Sequence, residues 1–139
     1  MHTDQELYDE LSFYTLNLGD PAFLHQNIVD AYAAQHVDEA TKPIRTVFAL
    51  IGLYLYLEKG FTGRQVQKMH MRLGSNRKHW PNIPPPEIKA SINVADVLAS
   101  PAGEQRDKVI HDWCVAVWGT WQAQREIIVD LARTELDIS

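Results

Sequence analysis

Cysteine is almost absent from the sequence: Cys114 is the only one among 139 residues. A single cysteine cannot form an internal disulfide or a cysteine-based zinc cluster, and it is typical of proteins in a reducing compartment. The first eleven residues, MHTDQELYDEL, are acidic and contain no apolar signal segment. Together these features predict a cytoplasmic protein.

Long hydrophobic runs are also missing. The most apolar stretch is residues 47–57, VFALIGLYLYL, in which only Gly52 interrupts the large side chains. As a helix this stretch would span about 16 Å, whereas a membrane-crossing helix needs about 20 residues. We therefore expect no association with a membrane. A helix that is apolar on every face is instead buried among other helices.

Motifs that carry common chemistries are missing as well. The sequence contains no glycine-rich phosphate-binding loop, no nucleophile elbow and no HxxxH pair. An HxxxH pair would place two histidines on one face of a helix, as the common helical metalloenzymes require. The formal net charge of −5 disfavours general binding of nucleic acid by the whole surface.

The apolar stretch lies within a predicted helix over residues 42–59. Thr41 is the predicted N-cap, Pro43 occupies the first turn, and Gly60 follows the last turn as a C-cap glycine does. Gly52 lies at the middle of this helix. A glycine there costs about 1 kcal/mol relative to alanine. We therefore expect a neighbouring helix to approach closely at Gly52.

The remaining elements are also predicted to be helical. The predicted helices cover residues 5–17, then 21–36 with Asp20 as the cap, 62–73 with a Thr62/Gln65 capping box, 94–98 with Asn93 as the cap, and about 104–136. A proline-rich loop occupies residues 74–92, and Trp80 and Ile83 are expected to hold it against the body. The predicted fold is all-α. It is a single domain over residues 1–139, a compact bundle of four to six helices around the helix at about 42–59.

Histidines supply the first candidate site. His25 and His36 project from one side of the second helix but lie about 16 Å apart along its axis, so they cannot share a metal ion. Each could join side chains of other helices in a transition-metal or acid–base site. The candidate residues for such a site are His25, Asp30, His36, His70 and His111. The alternative is that these histidines form hydrogen bonds where helices cross.

A basic window supplies the second candidate site. Residues 60–86 contain five basic and no acidic residues, although the whole chain has 18 Asp and Glu. The candidate ligand-binding residues are Arg64, Lys68, Arg72, Arg77, Lys78 and Trp80. The first three are four residues apart and form one ridge of a helix, and the N–H groups at the start of that helix could add to an anion site. The alternative is a solvated face that pairs with acidic residues elsewhere.

The C-terminal helix supplies a third feature. His111, Trp118 and Arg125 are seven residues apart, beside an apolar stripe. Such a flank could line a pocket or form a homodimer contact.

Four separated motifs resemble the pattern of one bacterial protein family. They are residues 20–36 (DPAFLHQNIVDAYAAQH), 50–55, 94–98 and 113–118. The first matches the signature DPAxxHxxxVDAYAAQH of an uncharacterised domain-of-unknown-function family, and the resemblance covers about residues 11–121. No activity is established for that family, so the resemblance implies membership and no function. Some relatives begin with a cysteine-rich stretch that could hold a metal, and this chain has no cysteine there.

Two functional hypotheses follow from the sequence. The leading one is a helical-bundle protein that recognises an anionic ligand or an acidic protein partner through the basic helix and the loop. The alternative is a metal- or histidine-dependent enzyme with a site between residues 20–36 and neighbouring helices.

Overall fold

The computed structural model describes residues 2–76 and 79–139. Within these residues the chain forms seven α-helices and one short 3₁₀ helix, and no strand. The helices are α1 (Asp4–Leu16), α2 (His25–Gln35), α3 (Pro43–Glu58), α4 (Gly63–Asn76), α5 (Val94–Ala99), α6 (Glu104–Thr120) and α7 (Arg125–Leu136). The 3₁₀ helix, Gln122–Gln124, joins α6 to α7. The prediction of an all-α bundle is confirmed.

Helices α2 and α3 form the centre of the bundle. Helix α3 packs against α2, α4, α6 and α7, and every residue from 49 to 55 is buried. Helix α2 packs against α1, α3, α4 and α6, so it is also covered on several sides. The buried central helix predicted from the apolar run is therefore confirmed, and α2 shares its central position.

Gly52 lies at a close contact between α3 and α2. A Cβ atom added to this residue would lie 1.9 Å from Oδ2 of Asp30 on α2. Only a residue without a side chain fits there, so the expectation that Gly52 admits a neighbouring helix is confirmed.

The start of α2 differs from the prediction. The helix begins at His25, not at Pro21, because Phe23 has a left-handed backbone conformation with φ of 57°. The Asp20 carboxylate accepts a hydrogen bond from the Leu24 N–H at 2.8 Å, and the Ala22 carbonyl accepts one from the Arg64 N–H at 2.9 Å. Residues 20–24 therefore form a turn that docks on the start of α4.

The predicted helix over residues 104–136 is divided in two. An unbroken helix of that length would extend about 50 Å, whereas a domain of this size has a radius of gyration of about 14 Å. The chain turns at buried Trp121, with φ of −101° and ψ of 10°, and α7 then packs against α3 and α4. The division lets both parts of the apolar stripe reach the same core.

Smaller boundaries also differ from the predictions. The N-cap of α3 is Lys42 and not Thr41, whose hydroxyl group instead bonds to Asp38. Helix α4 continues three residues beyond the predicted end at Leu73. Trp80 is half-buried and Ile83 is buried, so both hold the proline-rich loop against the body as predicted. Among the described residues, no helix is long and apolar enough to cross a membrane.

Candidate functional site

A pocket of about 400 Å³ opens between α2, α3 and α4. This volume lies within the range of small-molecule sites, roughly 300–1,000 Å³. The apolar part of its wall consists of Tyr8, Val29, Tyr32, Ala33, Ile44, Phe48 and Ala49. The polar part consists of Gln26, Asp30, Arg45 and His70. The lining is therefore mostly apolar with a few polar groups, as in most ligand sites.

Helical spacing explains why these residues meet. Residues three and four apart share a face of a helix, and α2 contributes five such residues. They are Gln26, Val29, Asp30, Tyr32 and Ala33. Helix α3 contributes Ile44, Arg45, Phe48 and Ala49 with the same spacing, α4 contributes His70 and α1 contributes Tyr8. Four packed helices thus hold the wall in place.

Asp30 is the most unusual group in the pocket wall. Its side chain is 3% exposed, and Oδ1 accepts a hydrogen bond from Nε2 of Gln26 at 3.2 Å. Oδ2 has no hydrogen-bond partner within the described part of the chain. Burial raises the pKa of the Asp30 carboxyl well above its ordinary value, so the neutral carboxylic acid is favoured.

His70 lies on the other side of Gln26. Its Nε2 donates a hydrogen bond to the Phe48 carbonyl at 2.8 Å, which leaves Nδ1 of the neutral ring as an acceptor. The Gln26 amide nitrogen lies 3.4 Å from that Nδ1. Burial lowers the pKa of His70 and favours the neutral imidazole. Gln26, Asp30 and His70 therefore form one uncharged group, called here the polar cluster.

The polar cluster is better suited to hydrogen bonding than to proton transfer. A general base needs a lone pair within about 3 Å of the proton that it removes. Nδ1 of His70 faces the Gln26 amide, and Nε2 is occupied by a backbone carbonyl. The amide between Asp30 and His70 does not titrate, so it cannot relay a proton.

Comparison with known proteins places the chain in a family. Residues 3–122 match the model of DUF5946, a family of unknown function. The chain belongs to this family. The matched range contains the four motifs on which the resemblance rested, and the membership implied by them is confirmed. No curated protein and no solved structure matches the chain. Membership in DUF5946 carries no activity, so the function has to be argued from the pocket.

The other candidate histidines occupy separate local contacts. Nδ1 of His25 lies 2.9 Å from the Thr15 hydroxyl, and Nδ1 of His111 lies 2.9 Å from the Tyr56 hydroxyl. His36 stacks on Tyr32 and contacts the Asp4 carboxylate at 3.2 Å. Within residues 2–76 and 79–139, no three His, Cys, Asp or Glu side chains come together as a metal site would need. Of the five histidine and aspartate candidates, only Asp30 and His70 share a pocket.

The basic ridge lies on another side of α4. Arg64, Lys68 and Arg72 are exposed, and Lys68 projects about 160° away from His70 at 100° per residue. No ion pair within the described residues involves any of the three. Trp80 packs against Phe48, with 5.4 Å between ring centroids, and so lies on the His70 side. The ridge and Trp80 therefore do not form one surface.

Arg77 and Lys78, two residues of the predicted basic site, lie outside the described residues. Of the N–H groups predicted to be free at the start of α4, those of Thr62 and Arg64 have partners within the chain. The N–H of Arg64 donates to the Ala22 carbonyl, and Thr62 and Gln65 satisfy each other's N–H groups through a capping box.

The flank predicted on the C-terminal helix consists of His111, Trp118 and Arg125. Its side chains contact residues of α3 instead of forming an open pocket wall. Trp118 donates to the Glu58 carboxylate at 2.8 Å, and Nε of Arg125 donates to it at 3.0 Å. The hydrogen bond from Arg125 is the largest cause that lowers the pKa of Glu58, and the hydrogen bond from Trp118 lowers it further. His111 contacts Tyr56, which lies two residues before Glu58 on α3.

Sequence reasoning missed Tyr8, Gln26, Arg45 and Phe48. On a helical wheel, Gln26 and Asp30 point away from the apolar face of α2, which normally indicates solvent. In the structure that second face is covered by α3 and α4. The sequence signal for this buried face was Gly52 in the centre of an apolar helix, because a glycine there indicates that a neighbouring helix packs closely.

Proposed function

We propose that the protein binds a small organic molecule in the pocket between α2, α3 and α4. The observation that carries this proposal is the pocket of about 400 Å³ itself, whose mostly apolar wall also contains the polar side chains of Gln26 and His70. A few polar groups in an apolar wall are what fixes the orientation of a bound small molecule.

The wall indicates the chemistry of the ligand. Tyr8 and Tyr32 stack with ring centroids 4.1 Å apart, and Phe48 lies across the pocket beside His70. A planar or apolar body fits against these rings. The inner end of the ligand would be polar but uncharged, because desolvating a charge beside neutral groups is costly.

Binding accounts for the polar cluster better than catalysis does, since both nitrogens of His70 are engaged. The basic ridge on α4 offers exposed charge, but none of its three residues lines the pocket between α2, α3 and α4. Cytoplasmic location, an acidic protein partner and a homodimer through the C-terminal helices stay predictions from the sequence.

The test uses an uncharged aromatic probe, naphthaleneacetamide, in a ¹H–¹⁵N NMR titration. We expect shift changes confined to residues around the pocket on α2, α3 and α4. The variant Ala33→Phe fills the pocket with a half-buried aromatic ring and should abolish these changes. Ala116→Phe is the matched control, because Ala116 is also half-buried on a helix but lines a different groove. Identical titrations of both variants would overturn the proposal.

A further inference from the structure

Two exposed cations lie where the pocket opens toward an adjoining groove, a place called here the mouth of the pocket. Lys42 and Arg45 lie at the start of α3, and both side chains are exposed. Arg45 lines the pocket and also an adjoining groove of about 650 Å³, which Lys42 lines too. Ala33 and Ile44 likewise line both spaces, so the pocket and the groove adjoin at these residues.

The acidic residues around this mouth already have partners. Asp4 contacts His36, and Asp9 accepts a hydrogen bond from Gln5. Asp38 accepts hydrogen bonds from the Ala40 N–H at 2.9 Å and the Thr41 hydroxyl at 3.2 Å. Each of these carboxylates has a partner other than Lys42 and Arg45, although Asp38 also lines the groove.

Lys42 and Arg45 lack such partners. No ion pair or side-chain hydrogen bond within residues 2–76 and 79–139 involves either side chain. The chain has 18 acidic residues and a net charge of −5, yet these two cations, like those of the basic ridge, have no ion-pair partner within the described residues. Among the described residues that line the pocket, Arg45 carries a positive charge, and burial favours the neutral forms of Asp30 and His70.

We propose that the ligand is an organic anion, with a carboxylate or phosphate held at the mouth by Arg45 and Lys42. This inference rests on the proposed function, since it assigns one end of the ligand in the same pocket. The guanidinium fork of Arg45 matches the two oxygens of either anion, and Lys42 adds a point charge. The anionic end stays in water, and the apolar body enters toward the polar cluster.

The experiment compares three probes that share one ring system. Naphthaleneacetate carries a carboxylate, naphthyl phosphate carries a phosphate, and naphthaleneacetamide is uncharged. Affinities are measured by calorimetric titration at low salt. We expect at least one anion to bind about tenfold more tightly than the amide, the gain that two exposed charges provide. The tighter of the two anions identifies the preferred group.

Charge variants locate the interaction. In Lys42→Gln/Arg45→Gln, the affinity for the anion should fall to that for the amide, and the affinity for the amide should not change. Arg64→Gln/Lys68→Gln is the matched control, because it removes the same charge from exposed positions on the far side of α4. It should leave all three affinities as in the wild type.

The outcomes separate the two proposals. Equal affinities for amide and anions in the wild type, or an anion affinity that depends on Arg64 and Lys68, would overturn the anion inference while leaving the pocket intact. No binding of any of the three probes would overturn the inference and the proposed function together.

Discussion

Asp30 is the residue whose surroundings depart most from those of an ordinary carboxylate. Aspartate is almost never fully buried unless it is paired, yet Asp30 is 3% exposed, and within the described residues its carboxyl hydrogen-bonds only with the Gln26 amide. The nearby residue that makes this possible is Gly52, because its missing side chain leaves room for Oδ2. Asp30 therefore belongs to the pocket wall and to the contact between α2 and α3, where its Oδ2 lies against Gly52.

The substitution Asp30→Asn should change how stability depends on pH. In the unfolded chain the carboxyl ionises near its ordinary pKa of 3.8, whereas burial keeps it protonated in the folded protein to a higher pH. Between those two values the folded state binds one more proton, so wild-type stability falls by about 1.4 kcal/mol per pH unit as pH rises. Asparagine cannot ionise, so the variant should lack this fall.

Urea unfolding of both proteins between pH 4 and pH 8 measures the effect. We expect the variant to be the more stable protein at pH 7, and the difference to vanish near pH 4. A difference that is constant over this range would show that Asp30 has an ordinary pKa in the folded protein.

At the scale of elements, the approach of α2 to α3 is the feature that shapes the pocket. Gly52→Ala would place a methyl group 1.9 Å from Oδ2 of Asp30, so the helices or the carboxyl would have to move. Overpacking of this kind typically costs about 1–3 kcal/mol, which exceeds the gain of about 1 kcal/mol in helix propensity. We therefore expect Gly52→Ala to be destabilising in chemical denaturation.

Gly119 provides the control, because it also lies in a helix and a Cβ atom there would contact nothing within 4 Å. Gly119→Ala should stabilise the protein, by up to about 1 kcal/mol. Adding Asp30→Ala to Gly52→Ala should restore most of the lost stability, because the two residues are in direct contact. Additive effects of these two substitutions would contradict the close approach.

Helix identity could be predicted from the sequence more reliably than helix ends. The apolar run and Pro43 were enough for α3, because both are local signals. The start of α2 was not predictable, since an aromatic residue such as Phe23 rarely has a positive φ. That conformation depends on the docking of residues 20–24 against α4, which is a contact between distant parts of the chain.

At the scale of the whole molecule, Glu58 joins three helices. It lies at the end of α3 and accepts hydrogen bonds from Trp118 on α6 and Arg125 on α7. Because these bonds lower its pKa, Glu58 contributes stability above its ordinary pKa of 4.5 and loses that contribution as pH falls below it. The pH dependence is thus opposite in sign to that of Asp30.

We expect Glu58→Gln to be less stable than the wild type at pH 7, with a difference that shrinks below pH 4.5. Thermal unfolding followed by tryptophan fluorescence measures it. An equal difference at pH 3 and pH 7 would show that the charge of Glu58 does not contribute.

The sequence could not show which side chains of different helices come into contact. A helical wheel shows that His25 and Asp30 leave α2 in different directions, but not which helices lie there. His70 reaches the pocket because α4 packs on α2 and α3, and the other candidate histidines do not reach it. The all-α class followed from local patterns, whereas the polar cluster depends on how three helices are arranged.

The central claim is that a small molecule enters the pocket beside Asp30. The most direct measurement is a set of intermolecular NOEs between naphthaleneacetamide and isotope-labelled protein at saturating probe. The structure predicts NOEs from the naphthalene ring to the side chains of Ala33, Phe48 and Ala49, which line the pocket. NOEs confined to other surfaces, such as the groove lined by Ile88 and Ala116, would contradict the claim.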